Sequence, residues 1–311
     1  MKLAFVFPGQ GAQSVGMMQP YAELPQIEQT FRQASQVLKQ DLWALVRDGD
    51  TEMLNLTVNT QPVMLTASIA IYRAWEALGG AQPSILAGHS FGELSAMVVS
   101  GAIAFEDALP LVRFRAEAMQ QAVAETSGSM AVVLGLSDDG VRELCIDAAE
   151  DEVLEAVNYN APGQVVIAGH RGAVVRGMER AKARGAKRAL SLAVSVPAHC
   201  SLMRPAAAAL DRYLEGVEIN QPRIPVLHNS TLSCHPSAPE IKDALARQLH
   251  SPVRWAETVQ HFVAQGIDTV IECGPGKVLT GLNKRIAEQL QLQCLSDVET
   301  IRAWAEKSKT E

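Results

Sequence analysis

Ile85-Leu86-Ala87-Gly88-His89-Ser90-Phe91-Gly92-Glu93-Leu94 reads as a short buried strand, a sharp turn and the start of a helix. Gly88 and Gly92 flank the turn, so the backbone can close more tightly there than side chains would permit. A serine at the apex is then pushed into the open, beside helix-start N–H groups able to hold an oxyanion. This makes Ser90 a candidate covalent nucleophile. The strand before it and the helix after it set the stretch apart from an incidental G-x-S-x-G.

Strand–helix alternation continues outward on both sides. Upstream, Leu3–Phe7 is a compact apolar strand running into the loop Pro8-Gly9-Gln10-Gly11-Ala12-Gln13. Helical patterns follow at 26–39 and from Gln61 to Leu78. Thr60 is placed to cap the second, Pro62 falls in its first turn, and Gly79-Gly80 ends it. Downstream, the elbow helix runs to Ser100 and stops at Gly101, and another helix spans 106–123. The alternation argues for a mostly parallel sheet covered by helices.

Glu125-Thr126-Ser127-Gly128-Ser129 marks the expected boundary, beyond which the units shorten. Met130–Leu134 reads as a strand, Asp138–Ala149 as a helix, and Val153–Val157 and Gln164–Ala168 as strands around an Asn-Ala-Pro-Gly turn. A helix at 172–184 and a strand at Arg188–Val194 complete a β-α-β-β-α-β order, the ferredoxin-like arrangement. After Pro197 the larger pattern resumes. A helix begins at Ser201, a strand lies at Pro225–Leu227, helices lie near 239–249 and 255–265, and a strand covers Thr269–Cys273. A last helix follows Gly274-Pro275-Gly276, and the polar tail from Lys307 is expected to fray. The division is 1–126 with 197–311 as one body and 127–196 as an inserted small subdomain.

Composition narrows the function classes. A hydrophobic share of 48% in 311 residues gives ample core for a globular enzyme. A net charge of −7 excludes a global nucleic-acid footprint. Five scattered cysteines without C-x-x-C spacing imply neither a disulfide framework nor a zinc site. Met1–Phe7 is too short for a signal-peptide core, and no run has the apolar length to span a bilayer. A cytoplasmic enzyme is expected.

A nucleophilic serine needs a base, and seven histidines compete. His89 adjoins Ser90 and should point away across the tight turn. His250 and His261 lie in or beside helices, and His170, His228 and His235 in turns or at strand ends. His199 follows the extended Val194-Ser195-Val196-Pro197, where catalytic side chains of α/β folds gather. Arg115 is the second informative residue. It lies seven after Ala108, four after Leu111 and four before Met119, on the apolar face of its helix. An inward guanidinium needs an anion. The sequence leaves open an internal pair with Glu93 or Asp107, or a clamp for an anionic substrate. Gly9-Gln10-Gly11-Ala12-Gln13-Ser14 fails the dinucleotide fingerprint; it reads as a tight turn or as a second oxyanion donor. Basic runs at Lys182–Arg188 and Lys284-Arg285 stand out in an acidic chain, as solvated faces or as docking points for an acidic partner.

Taken in order, these residues resemble the malonyl-CoA:acyl carrier protein transacylases of bacterial fatty-acid synthesis. The resemblance spans essentially the whole chain. It covers Phe5-Val6-Phe7-Pro8-Gly9-Gln10-Gly11, Thr60-Gln61-Pro62, Gly88–Glu93, Arg115, Asn158–Gln164, Val196-Pro197-Ala198-His199, Arg247-Gln248-Leu249 and Gly274–Lys277. It implies an α/β hydrolase-like parallel-sheet core with the inserted ferredoxin-like subdomain. It makes Ser90 the acyl-accepting nucleophile and His199 its general base and acid. Backbone N–H groups of Gln10 and Phe91 would form the oxyanion hole, and Arg115 would take the free carboxylate of malonate. A main-chain carbonyl near Gln248 would orient His199, with Gln61 and Asn160 supporting the site. Malonyl-CoA and the phosphopantetheinyl carrier protein are the implied substrates; no metal or cofactor is implied, and a monomer is expected. Phe91 stands where smaller aliphatics are common in the family, and Ala198 where serine is frequent. Both bear on the acyl pocket, and neither removes a catalytic group. The rival readings are a discrete acyltransferase serving a polyketide synthase, a serine thioesterase, and a non-catalytic scaffold that would be expected to lose Ser90 or His199.

Overall fold

The structure, a computed structural model, describes residues 1–123, 127–194 and 196–310. In chain order the larger body opens with β1 (Leu3–Phe7), α1 (Pro25–Leu38), α2 (Leu42–Asp48), α3 (Thr51–Asn55), α4 (Thr57–Ala77), β2 (Ile85–Gly88), α5 (Gly92–Val99) and α6 (Phe105–Ala122). The chain then builds β3 (Gly128–Leu134), α7 (Asp138–Ala149), β4 (Leu154–Ala161), β5 (Gln164–His170), α8 (Arg171–Ala183) and β6 (Arg188–Ser191). It returns with α9 (Arg204–Glu215), α10 (Ala238–Gln248), α11 (Trp255–Ala264), β7 (Thr269–Glu272), α12 (Val278–Ile286), β8 (Gln291–Cys294) and α13 (Val298–Thr310).

The first sheet has the order β2-β1-β7-β8 and is parallel throughout. β1, β2 and β7 are buried at every position, as strands covered on both faces must be. The two-residue period sends Phe5 and Phe7 to one face, with α1, α4 and α6, and Ala4 and Val6 to the other, with α11 and α12. The second sheet is antiparallel with the order β4-β5-β3-β6, the split βαβ arrangement read from the sequence. Its Ala131, Val133 and Ile167 face α7 and α8. Met130, Val157 and Val166 face Cys200 and the site. Backbone hydrogen bonds from Tyr159 to Val253 (3.0 Å) and from Val253 to Val157 (2.8 Å) join β4 to the segment before α11.

Several sequence expectations are corrected. Thr60 does not cap α4, which begins three residues earlier at Thr57 after the extended Leu56. The Thr60 hydroxyl instead donates to Leu54 O at 2.6 Å, and the Asn59 amide donates to Met53 O at 2.8 Å. These bonds tie the helix start to the end of α3 and leave Pro62 inside the helix rather than in its first turn. Pro225–Leu227 makes two isolated bridges, Leu86 to Val226 in parallel and Leu227 to Cys234 antiparallel, rather than a strand. The chain does not end on the helix after Gly276. β8 and α13 follow, and the segment from Lys307 continues α13 to Thr310. Of the expected boundary, Glu125 and Thr126 lie outside the described residues. Among the described residues no helix is long and apolar enough to cross a membrane.

Candidate active site

The elbow is built by close approach. A Cβ on Gly88 would lie 1.9 Å from the Gly92 carbonyl carbon, and one on Gly92 would lie 2.4 Å from Phe7 O. The turn between them forces Ser90 to φ 54°, in the left-handed region that side chains disfavour. Asn229 holds that strained turn from both sides. Its Oδ1 accepts from Ser90 N at 2.8 Å, and its Nδ2 donates to Gly88 O at 2.6 Å.

His199 follows the last strand of the inserted sheet and is also in the left-handed region, at φ 69°. The Ser90 hydroxyl donates to His199 Nε2 at 2.7 Å. On the far side of the ring, Nδ1–H donates to the Gln248 backbone carbonyl at 2.8 Å. That bond fixes the tautomer that leaves Nε2 free to accept. The partner behind the imidazole is therefore a carbonyl and not a carboxylate. Burial and the nearby Arg115 charge hold the His199 pKa down to about 3, so the ring rests as a neutral base.

Arg115, on α6, is 2% exposed and makes no salt bridge among the described residues. Neither Glu93 nor Asp107 pairs with it directly; Asp107 is exposed, and Glu93 is engaged elsewhere. Nη1 donates to Gln61 Oε1 at 3.0 Å and reaches Met119 Sδ at 3.2 Å. Nη2 donates to Gln248 Oε1 at 3.0 Å and approaches Ser90 Oγ at 3.4 Å. Burial lowers its pKa to about 10, which still leaves a cation at neutral pH. A buried cation held by neutral groups beside a nucleophile is a seat for an anion.

A cavity of about 110 Å³ is bounded by Ser90, Arg115, Met119, Met130, Leu192 and His199. Gln10 and Phe91 also line it, and their backbone N–H groups make no hydrogen bond to another group among the described residues. Two unbonded backbone donors therefore line the same cavity as Ser90. Through Gln10, His89, Asn158 and Leu192 this chamber adjoins a second of about 250 Å³ that continues past Gln164. Asn160 lines the second chamber, its Oδ1 2.8 Å from His89 Nε2. A larger groove of about 770 Å³ between Arg142 and Arg254 contains none of these residues.

Sequence reasoning missed the layer beneath the elbow. His228, expected only in a turn or at a strand end, is fully buried with Nδ1 2.6 Å from Glu93 Oε1. The signal available was His228-Asn229 directly after an extended segment, a polar pair at a strand end. The basic runs are partly committed to the fold. Arg184 pairs with Asp147 at 3.2 Å, and Arg285 donates to Pro162 O at 2.9 Å.

The profile described as the acyl transferase domain matches residues 4–303. The malonyl CoA-acyl carrier protein transacylase of Escherichia coli strain K12 is 50% identical over 303 residues, 97% of this chain and 98% of the relative. This chain belongs to the acyl transferase family, with the malonyl CoA-acyl carrier protein transacylases. Among solved structures, an acyl-carrier-protein S-malonyltransferase from Burkholderia pseudomallei 1710b is 54% identical with a TM-score of 0.96, over 98% of this chain and all of that one, 100%. A malonyl-transacylase in complex with its type II polyketide synthase acyl-carrier protein is 48% identical with a TM-score of 0.97, over 99% and 100% of the two chains.

Proposed function

We propose that this chain moves a malonyl group from malonyl-CoA to the phosphopantetheine thiol of an acyl carrier protein, in the cytoplasm and for fatty-acid synthesis, through an ester on Ser90. The observation that carries the reading is Arg115, buried without a carboxylate partner among the described residues and 3.4 Å from Ser90 Oγ. A nucleophile beside an anion seat fits an acyl group that ends in a carboxylate. An acetyl methyl there would leave the guanidinium unpaired, at a cost on the order of 3–5 kcal/mol.

Ser90 Oγ attacks the thioester carbonyl while His199 Nε2 takes the hydroxyl proton. The oxyanion sits against the Gln10 and Phe91 N–H groups, each lowering the barrier by about 3 kcal/mol. The C–S bond breaks, and His199 returns the proton to the departing CoA sulfur. The carrier thiol then gives its proton to His199 and attacks the ester carbonyl; the ester C–O bond breaks, and His199 returns the proton to Ser90 Oγ. Every group in this sequence is a side chain or backbone N–H of one chain, so the reading calls for neither cofactor nor partner subunit. A thioesterase fits less well, because nothing in hydrolysis needs Arg115 and a backbone carbonyl, not a carboxylate, holds His199 Nδ1.

Intact-protein mass spectrometry after mixing with malonyl-CoA tests the reading. One malonyl adduct is expected, absent in Ser90→Ala and discharged by holo-carrier protein. Free malonate accumulating without an adduct would overturn it in favour of hydrolysis.

A further inference from the structure

The buried Glu93 carboxylate has no place in the steps above, yet it touches residues that hold each part of the site. Its Oε1 takes the His228 Nδ1 bond at 2.6 Å, and its Oε2 accepts from Asn229 N and Gln248 Nε2, both at 2.9 Å. His228 Nε2 is buried without a partner among the described residues. An imidazole donating from Nδ1 alone leaves no N–H orphaned at Nε2.

We propose that Glu93 is a specificity-determining positioning residue that acts on Arg115 through the side chain of Gln248. Gln248 Nε2 has two acceptors, Glu93 Oε2 at 2.9 Å and Ser90 O at 3.0 Å. With its amine end fixed there, its Oε1 must face Arg115 Nη2, 3.0 Å away. The amide thus lies between a carboxylate and a guanidinium with its dipole aligned to both. A buried cation needs a counter-charge nearby. Direct contact with Glu93 would supply one, but that carboxylate would occupy the seat the substrate needs. The interposed amide supports the cation and leaves it open.

This inference rests on the reading that Arg115 receives the substrate carboxylate, and one experiment separates the two. Rates of transfer from malonyl-CoA and acetyl-CoA to holo-carrier protein are measured for the wild type, R115A, E93Q, Q248L and the E93Q/Q248L double variant. E93Q is expected to lower the malonyl-to-acetyl ratio of kcat/KM by about tenfold or more, the scale of a hydrogen bond to a charged group. Q248L should do the same, and the double variant should fall no further than the worse single one. A loosened elbow would slow both substrates together and leave the ratio unmoved. An unchanged ratio in E93Q, or additive losses in the double variant, overturns the proposal. A wild type without malonyl preference, or R115A retaining it, overturns the underlying reading instead. If E93Q does not fold, the E93Q/H228Q pair, with two amides in place of carboxylate and imidazole, carries the same measurement.

Discussion

His199 Nε2 accepts from Ser90 Oγ at 2.7 Å, and both residues hold left-handed backbone, φ 69° and 54°. Strain of this kind persists only where surrounding contacts over-determine it. Here they do: Asn229 grips Ser90, and His199 N donates to Leu249 O at 2.9 Å, one residue beyond the carbonyl that holds its ring. Base and nucleophile are aimed by backbone, not by side-chain freedom.

Removing Asn229 should therefore loosen the elbow without touching a reacting group. Asn229→Ala leaves the Ser90 N–H and Gly88 carbonyl unmatched in a buried turn. About 3 kcal/mol of stability should be lost, read by urea unfolding, together with slower malonyl adduct formation. Unchanged unfolding and adduct rates would show that the turn holds itself.

Gly88→Ala should be worse. Its Cβ would lie within 2.0 Å of Gly92 backbone atoms, with no side chain able to yield. Destabilisation above about 4 kcal/mol is expected, with no serine adduct in whatever folded protein remains. A well-folded, acylating Gly88→Ala enzyme would mean that the elbow adopts a different turn.

Arg115→Ala should lower malonyl transfer on the order of a hundredfold or more, while acetyl transfer falls less or rises. Competition between the two CoA esters in one vessel measures this directly. Preserved malonyl preference would remove Arg115 from the carboxylate role.

The acid response of stability follows from His199, whose pKa is lowered from 6.5 to about 3. The unfolded chain takes up a proton below pH 6.5 that the folded site refuses until about pH 3. Its stability contribution is therefore intact above pH 6.5 and declines as pH falls through that window, by up to roughly 1.4 kcal/mol per pH unit. Urea midpoints taken across the window should fall more steeply for the wild type than for His199→Gln. Parallel slopes would place the titration elsewhere.

Carrier docking is tested by charge reversal at Lys187 and Arg188, both exposed and in no salt bridge among the described residues. Discharge of the Ser90 ester to carrier protein should slow about tenfold, with acylation by malonyl-CoA unchanged. Equal loss in both half-reactions would exclude that face.

What the sequence made legible was local. The elbow needs only two glycines and a flanking strand and helix, and Arg115 needs only helical spacing to turn inward. Glu93 and His228 were not legible, because their contact joins residues 135 apart and no periodicity reports it. Likewise α2 and α3, of 7 and 5 residues, are too short to show a helical stripe. The start of α4 was misplaced because bonds to α3, not a local cap, decide it. Gln248 was expected to help through its backbone; that its side chain touches Arg115, Glu93 and Ser90 O follows only from the packed geometry.

The Arg115 charge is one of the two main influences that weaken His199 as a base, after burial. A carboxylate seated on Arg115 cancels that charge, so the arriving diacid raises the basicity of the group that will activate its own attacker. An acetyl group brings no such cancellation and meets the weaker base. The acid limb of acylation should then lie at higher pH with malonyl-CoA than with acetyl-CoA.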